Sequence, residues 1–217
     1  MKADLHIHSS FSNDGKSTVE EIMEAARTRG IGCVAIADHN TFKAFEAASE
    51  YRDIIVVPAE EISSSEGHIL AYGINEEIGR GKGILETIDA IHDAGGIAVA
   101  AHPYRWWSGI GEKNVVNEFD AVEALNARST EGSNGKARTL ALNMNKPMTA
   151  GSDAHRADNV GDAYIEFSDE ITDWESVIKA VMNANANTGG KHRNRADTLR
   201  YGYKSITEWI GRGFRKM

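Results

Sequence analysis

The stretch DLHIHSSFSNDG, residues 4–15, is the part of the sequence that decides the fold and the chemistry. Residues 3–7 predict a short first strand. Side chains on a strand alternate between its two faces, so His6 and His8 point in the same direction. Asp14 follows in the next turn. Imidazole and carboxylate groups are ligands that divalent transition metals prefer. A lone HxH pair is a weak signal, however, and Asp14 alone is an ordinary turn residue.

Further ligand-type residues recur beside predicted strands. His39 follows CVAIAD, His102 follows IAVAA and Asp153 follows MTAGS. Each has an ordinary alternative, such as a buried core histidine or a capping aspartate. Together they suggest a multinuclear metal centre, provided that the ends of the strands meet in space. The candidate ligands are His6, His8, Asp14, His39, Glu61, His68, His102, Asp153 and His155.

Short apolar runs alternate with helix-like segments along the whole chain. The predicted strands cover residues 3–7, 33–37, 54–57, 68–74, 97–101, 121–125, 148–150 and 164–167. The first predicted helix has Ser17 as N-cap and Glu20 as its capping-box partner. Later helices are predicted over residues 41–51, 83–94, 135–145, 173–186 and 198–211. This alternation predicts an α/β fold, a distorted (β/α)7 TIM-like barrel with function at the carboxyl ends of its strands. We expect a single domain over residues 1–217, with its weakest joint at 187–194.

Composition limits the classes of function. The 217-residue chain has a formal net charge of -8, which disfavours binding to long nucleic acids, so no stable nucleic-acid partner is expected. One cysteine, Cys33, excludes a disulfide framework and fits a reducing compartment. The apolar runs are too short to span a bilayer, and no apolar signal segment follows Met1. These features predict a cytoplasmic protein without membrane association.

The chain resembles the PHP superfamily of phosphoesterases, named after polymerase and histidinol phosphatase. The matching segments, in family order between residues 4 and 155, are DLHIHSSFSNDG, IADHN, PAEEIS, GHILAYG, AAHP, EALN and GSDAH. The resemblance implies a PHP-type barrel that binds two to three divalent ions of manganese, iron or zinc. It also implies phosphoesterase activity.

The resemblance further implies a trinuclear centre whose ligands divide into three sets, with Glu61 bridging two ions. The sets are His6, His8, Glu61 and Asp153; Glu61, His68 and His102; and Asp14, His39 and His155. Glu60 is adjacent to Glu61, but the family glutamate stands directly before Ile-Ser, which selects Glu61. Glu60 is then expected to point away from the site, because neighbouring residues of a strand face opposite sides.

Clustered divalent ions suit the hydrolysis of phosphate esters. They lower the pKa of bound water from about 15.7 to roughly 7, neutralise the phosphoryl group and stabilise the leaving alkoxide. Three such ions outweigh three carboxylates and one hydroxide, which leaves a positive site for a phosphate dianion despite the acidic surface. We predict that a metal-bridging hydroxide attacks a small phosphorylated metabolite, a nucleotide being one option.

Polar groups beside the ligands are candidates for catalysis and substrate binding. Asp153 and His155 lie nearest in sequence to a general-acid role. Arg105, shortly after His102, is the best candidate for a catalytic and phosphate-binding arginine, since an arginine fork suits a pair of phosphate oxygens; the alternative is a surface arginine stacked on Trp106 or Trp107. The further substrate-binding candidates are Asn126, Arg128 and Arg156.

Several residues keep two interpretations. Trp106 and Trp107 form either a stacking platform for a nucleobase or part of a lid or core. The basic segment Lys191–Arg200 is either a solvated entry to the last helix or a clamp for a distal phosphate. His92 and His192 match no motif and are predicted to be surface residues.

Other functions fit parts of the pattern. A non-catalytic PHP-like subunit of a nucleic-acid machine, such as RNase P or a polymerase-associated complex, would share the fold. Such scaffolds often lose ligands and carry basic faces, whereas this chain keeps every ligand and is acidic. A metal-dependent amidohydrolase also uses HxH in a barrel, but no lysine occupies a comparable strand end here. The chain resembles nucleoside bisphosphate and AMP phosphatases, but lacks their usual insertion between the strands bearing His68 and His102. Histidinol phosphate also remains open as a substrate.

Overall fold

The computed structural model describes residues 1–106, 108–184 and 186–194. Within these residues, ten strands alternate with five α-helices. The strands are β1 (Lys2–Ile7), β2 (Cys33–Ile36), β3 (Ile55–Val57), β4 (Ala59–Ser63), β5 (His68–Tyr72), β6 (Ile97–Ala100), β7 (Ala121–Asn126), β8 (Met148–Gly151), β9 (Ala163–Phe167) and β10 (Ala186–Gly190). The helices are α1 (Val19–Thr28), α2 (Lys43–Ala48), α3 (Ile84–Asp93), α4 (Glu131–Asn143) and α5 (Trp174–Met182).

Eight of the ten strands match predicted strands, and β4 and β10 are additional. β4 reads AEEIS and β10 reads ANTGG, so neither shows the apolar run or the alternation that marks a strand in sequence. The helix predicted over residues 198–211 lies outside the described residues.

The start of α1 differs by one residue from the prediction. Thr18, not Ser17, is the N-cap: its hydroxyl accepts a hydrogen bond from the Glu21 N–H at 3.2 Å. The Glu21 carboxylate accepts one from the Thr18 N–H at 2.9 Å. Ser17 instead accepts a hydrogen bond from the Ala157 N–H at 2.9 Å, so its hydroxyl joins two loops rather than capping the helix.

The strands form two mixed five-stranded sheets. Their strand orders are β10-β9-β1-β2-β3 and β4-β5-β6-β7-β8. β1, β2 and β3 are parallel, as are β6, β7 and β8. β5 is antiparallel to both of its neighbours. As a result, β5 begins at the edge of the sheet where its neighbours end.

The two sheets meet at two seams near the carboxyl ends of the strands. Parallel bridges join Ile7 to Ala154 and His39 to Glu61. The His8 N–H donates a hydrogen bond to the Ala154 carbonyl at 2.8 Å. The predicted α/β class is confirmed. The pairing of the described strands gives two sheets rather than one closed sheet.

Gly151 is required at one of these seams because β8 approaches β1 very closely there. A Cβ atom at Gly151 would collide with the backbone and Cβ of His6. The apolar core fills the space between the sheets and under the helices, with Leu5, Leu70 and Val99 among its buried members. Burying each such side chain stabilises the fold by about 1.5–3 kcal/mol. This packing fixes the strand ends relative to one another.

The segment between β5 and α3 returns to the turn that joins β4 and β5. The Gly81 N–H donates to the Ser63 carbonyl at 2.8 Å, and the Ser65 N–H donates to the Lys82 carbonyl at 2.9 Å. Ser63 pairs with His68 in the sheet. The glycine-rich segment 79–83 therefore lies close to the edge where β5 begins. Among the described residues, every helix is too short or too polar to cross a bilayer.

Candidate metal centre

Ligand-type side chains surround one edge of the two sheets. His8 directly follows β1, and His39, His102 and Asp153 come shortly after β2, β6 and β8. His68 is the first residue of β5, and reaches the same edge because this strand runs in the opposite direction. The other candidates are His6 within β1, Glu61 within β4, Asp14 after β1 and His155 after β8.

Three non-glycine residues at this edge have positive φ angles. They are Asn40 at 54°, His102 at 26° and Asp153 at 53°. Such conformations cost of order 1–3 kcal/mol and persist where the surrounding contacts hold them. The His102 N–H donates to Glu123 Oε2 at 2.8 Å, and the Asp153 N–H donates to the His6 carbonyl at 2.6 Å. Backbone strain is thus concentrated at strand ends that carry candidate ligands.

Glu61 lies at the centre of the cluster and is only 1% exposed. Its Oε1 is 2.8 Å from His68 Nδ1 and 2.9 Å from His102 Nε2. Its Oε2 lies within 3.3 Å of ring nitrogens of His6, His8 and His39. One carboxylate therefore contacts five imidazoles, an arrangement that suits a bridging ligand.

A second part of the cluster is built around Asp14 and His155. Asp14 Oδ2 is 2.7 Å from His155 Nε2 and 3.5 Å from His39 Nε2. His155 Nδ1 lies 3.4 Å from Asp153 Oδ1, which lies 3.6 Å from His8 Nε2. Asp14 Oδ1 is buried without a hydrogen bond to any described residue. A buried carboxylate oxygen without a hydrogen-bond donor fits a site that takes a cation such as a metal ion.

All nine predicted ligands fall into four overlapping groups, and within each group the ligand atoms lie within 4.8 Å of one another. The groups are His8, Asp14, His39 and His155; His6, His8 and Glu61; His6, His102 and Asp153; and His39, Glu61 and His68. Ligands on opposite sides of a transition-metal ion lie about 4.2 Å apart, so these spacings fit ion binding. The groups differ in part from the three sets that the resemblance implies, since His102 is grouped with His6 and Asp153.

Charged neighbours keep the two most buried acids of the cluster ionised. Burial opposes the ionisation of Glu61, but the imidazoles of His68 and His39 hold its pKa well below the usual value. Burial likewise opposes the ionisation of Asp153, yet the guanidinium groups of Arg105 and Arg128 hold its pKa well below normal. Both carboxylates are therefore in the form that binds cations.

The histidines divide according to their environment. Burial lowers the pKa of His8 to about 3 and that of His102 to about 4, so both rings are unprotonated at neutral pH. Burial also disfavours a charge on His39, but Glu61 and Asp14 outweigh it and raise the pKa of His39 to about 9. Unprotonated imidazole is the form that binds metal, so His8 and His102 are already in that form.

Arg105, Asn126 and Arg128 are next to the ligand cluster. Arg105 Nη2 donates to Asn126 Oδ1 at 2.6 Å and also to the Asp153 carboxylate. Arg128 Nη1 donates to Asp153 Oδ1 at 3.0 Å and lies 2.8 Å from His155 Nδ1. The structure thus brings these three predicted substrate-binding residues to the candidate centre.

Arg156 points elsewhere. Its side chain is 67% exposed and pairs with Asp158 at 3.4 Å, on the outer surface beside α1. Its substrate-binding role therefore stays a prediction that no contact with the cluster supports among the described residues. Trp106 is 85% exposed in the turn after His102, and Trp107 lies outside the described residues.

The two histidines outside the motifs make polar contacts away from the ligand groups. His92 Nε2 lies 2.8 Å from Asp120 Oδ2, and His192 Nδ1 lies 2.9 Å from Asn134 Nδ2. The basic segment Lys191–Arg200 is described only as far as residue 194. In that part, the Arg193 N–H donates to the Ser129 carbonyl at 2.9 Å, which holds the segment beside the loop after β7.

Sequence reasoning missed two buried carboxylates that support the ligands. Glu123 Oε1 lies 2.8 Å from His6 Nδ1. Asp38 accepts hydrogen bonds from the Ser9 N–H at 2.7 Å and from the Ser12 hydroxyl, which itself accepts one from the His39 N–H at 2.9 Å. A signal existed for both, because Asp38 directly precedes His39 and Glu123 opens the quoted EALN segment.

The fold and the site define an α/β protein with a largely buried imidazole–carboxylate cluster whose groups could hold metal. Residues 4–99 match the family model for the PHP domain, and residues 131–185 match the model for a PHP-associated C-terminal region. The chain belongs to the PHP superfamily.

Two curated proteins are similar to this chain in sequence. An uncharacterized protein of Methanocaldococcus jannaschii is 37% identical over 146 residues, which cover 61% of this chain and 85% of that protein. Phosphoribosyl 1,2-cyclic phosphate 1,2-diphosphodiesterase of Eggerthella lenta is 35% identical over 85 residues, which cover 35% of this chain and 32% of that protein.

A crystal structure from Bacteroides vulgatus supports the fold. It is a two-domain protein described as containing a predicted PHP-like metal-dependent phosphoesterase, and it superimposes with a TM-score of 0.75. The similarity covers 94% of this chain and 69% of that one at 17% identity. The four groups of ligand-type side chains described above could hold metal ions.

Proposed function

We propose that the chain is a metal-dependent phosphoesterase that hydrolyses a phosphate ester of a small phosphorylated metabolite. The convergence of nine ligand-type side chains, in groups whose atoms lie within 4.8 Å, carries the proposal. Membership of the PHP superfamily supports the reaction class. The similarity of 85 residues of this chain to a diphosphodiesterase supports including phosphodiesters among the candidate substrates.

The nine residues would hold two to three ions of manganese, iron or zinc, with Glu61 bridging. The donor set fits these metals, because imidazole and carboxylate ligands suit all three. When bound, the ions lower the pKa of coordinated water and neutralise phosphoryl charge. The uncompensated Asp14 Oδ1 and the ionised state of Glu61 and Asp153 support this loading.

Arg105 and Arg128 would orient the phosphate, with Asn126 holding Arg105 in place. Each guanidinium carries N–H groups in a fork that matches phosphate oxygens. Of the two predicted proton-transfer candidates, Asp153 is unsuited to donate a proton because its pKa is held well below normal. His155 would then be the candidate for proton donation to the leaving alkoxide, in a form of the centre in which its ring does not bind an ion.

We also propose that residues 1–217 form a single PHP domain in which the two sheets together make a distorted (β/α)7 barrel. The bridges Ile7–Ala154 and His39–Glu61 support this interpretation. They connect the β8 side and the β4 side of the second sheet to the first sheet.

The test combines metal analysis with a substrate panel. The purified chain is analysed for bound metal, then assayed with added Mn²⁺ against phosphomonoesters and phosphodiesters of small metabolites. We expect at least one tightly bound ion per chain and phosphate or alcohol release that Asp153→Ala abolishes. Asp89→Ala, on the exposed face of α3, is the matched control and should keep full activity. Less than one bound ion per chain and no turnover would contradict the proposal and favour a non-catalytic subunit.

A further inference from the structure

Glu123 is a buried carboxylate that stands behind the candidate ligands rather than among them. It lies in β7, is 1% exposed, and belongs to none of the four ligand groups. Its Oε1 is 2.8 Å from His6 Nδ1, on the side of the ring away from the cluster. The other ring nitrogen, His6 Nε2, is 3.3 Å from Glu61 Oε2. Glu123 therefore contacts the candidate ligand His6, and His6 in turn contacts Glu61 in the cluster.

Donors around Glu123 determine which atom carries the proton in this contact. Glu123 Oε2 accepts a hydrogen bond from the His102 N–H at 2.8 Å, and both carboxylate oxygens lie 3.1 Å from Asn126 Nδ2. Because both oxygens already face N–H donors, the carboxylate acts as an acceptor, and His6 Nδ1 must be the donor. In the unprotonated ring, which is the form that binds metal, the lone pair of His6 is then on Nε2, which faces the cluster.

The same carboxylate also fixes backbone and side chains around a second and a third ligand. Its hydrogen bond from the His102 N–H holds that residue at a φ of 26°. Asn126 Nδ2, which contacts Glu123, also donates to Asp153 Oδ2 at 3.1 Å. One side chain of β7 thus reaches ligands that come from three different parts of the chain.

We propose that Glu123 is a positioning residue of the metal centre: it holds His6 as the Nδ1–H tautomer with Nε2 directed at the ion, and it anchors His102 and Asp153. This inference rests on the proposed function, since it assigns a role relative to bound metal. Carboxylates that accept the second N–H of a ligating histidine fix its tautomer and ring orientation, and their loss typically costs about 10- to 100-fold in metal affinity.

The first experiment uses the wild-type chain loaded with Zn²⁺, which is diamagnetic. Histidine is labelled with ¹⁵N, and the His6 signals are identified by their loss in His6→Gln. We expect a directly bonded proton on His6 Nδ1 and none on Nε2. A proton on Nε2 with metal on Nδ1 would overturn the proposal. This measurement needs no Glu123 variant, so it tests the tautomer of His6 even if such a variant fails to fold.

The second experiment measures the dissociation constant of Zn²⁺ by competition with a chelator for Glu123→Gln and for Glu166→Gln. Glu166 lies on β9 with an exposed side chain, and makes the matched control. We expect Zn²⁺ binding to weaken about 10- to 100-fold in Glu123→Gln and to stay at the wild-type value in Glu166→Gln. Unchanged affinity in Glu123→Gln would overturn the proposal. Failure of the wild-type chain to bind Zn²⁺ would instead overturn the proposed function, so the two failures are distinguishable.

Discussion

Glu60 and Glu61 are consecutive residues of β4, and their carboxylates lie on opposite sides of the sheet. Glu61 Oε1 contacts His68 and His102, whereas Glu60 Oε2 accepts a hydrogen bond from the Ile78 N–H at 2.9 Å. Alternation along a strand makes one carboxylate part of the candidate centre and places the other under the loop that precedes α3. The pair offers a chemically matched comparison within one strand.

Glu61→Gln is expected to lose metal binding and phosphoesterase activity. The substitution removes the charge that contacts five imidazoles, and metal ions contribute several kcal/mol to transition-state stabilisation, so activity should fall at least about 100-fold. Bound metal by elemental analysis and phosphate release check the prediction. Glu60→Gln is the control and should retain metal. Equal metal content in both variants would show that Glu61 is not a ligand.

Arg105→Ala is expected to raise KM for an anionic substrate. A charge-assisted hydrogen bond is worth about 1.5–3 kcal/mol, which corresponds to roughly a 10- to 100-fold weaker interaction when it is lost. Arg105→Lys keeps the charge but lacks the planar guanidinium, so its KM should lie between those of the wild type and Arg105→Ala. Steady-state kinetics on the best substrate of the panel measure the effect.

The control for Arg105 is Arg52→Ala, because the exposed Arg52 guanidinium donates to the Ser49 carbonyl at 3.3 Å and the residue belongs to none of the four ligand groups. Its KM should equal that of the wild type. An unchanged KM in Arg105→Ala would assign the arginine to structure rather than to substrate binding.

Metal affinity is expected to rise with pH. The pKa of His39 is raised to about 9 by Glu61 and Asp14 despite burial, so its ring is protonated at neutral pH and must lose a proton when it binds an ion. Affinity should therefore increase between pH 6 and pH 9, by up to about tenfold per unit for each proton displaced. Calorimetry with Mn²⁺ in two buffers of different ionisation enthalpy counts the protons released. His92→Asn should leave that count unchanged, and an affinity independent of pH would contradict the prediction.

Glu60 is expected to make the fold less stable as pH rises. Burial raises the pKa of Glu60 from 4.5 to about 7, against the hydrogen bond from Ile78, and the Glu77 charge adds to the shift. The folded protein therefore holds this proton more tightly than the unfolded chain. The contribution to stability is complete below pH 4.5 and is lost as pH rises through about 7.

Replacing Glu60 by an uncharged residue should make the stability of the fold less dependent on pH. We expect Glu60→Gln to be more stable than the wild type at pH 8, by about 1–3 kcal/mol, and to lose this advantage at low pH. Urea unfolding at pH 5 and pH 8 measures the difference. Glu66→Gln, at an exposed position of the β4–β5 turn, is the matched control. The same pH dependence in Glu60→Gln and wild type would contradict the prediction.

Several candidate ligands could be selected from sequence because the signals that mark them are local. The HIH repeat places two imidazoles on one face, and His39, His102 and Asp153 each follow an apolar run that predicts a strand. The way in which the ligands group in space could not be predicted from those signals. It depends on the direction of β5 and on the close approach of β8 to β1 at Gly151, and both are properties of the assembled sheets.

Glu123 and Asp38 show the other limit. Both stand within quoted motifs, but a carboxylate that supports a ligand has the same residue type as one that binds metal or caps a turn. Only distances separate these roles: Glu123 contacts the back of His6, and Asp38 contacts Ser9 and Ser12. β4 was missed for a related reason, because its consecutive glutamates hide the strand pattern.

The return of residues 79–83 to the rim beside His68 marks a natural point for remodelling. Two backbone hydrogen bonds, from Gly81 to Ser63 and from Ser65 to Lys82, anchor this glycine-rich turn without using a ligand. A longer peptide inserted there would extend one side of the candidate site without replacing any of the nine candidate ligands. Under the proposed function, such an insertion is expected to change which leaving groups the site accepts.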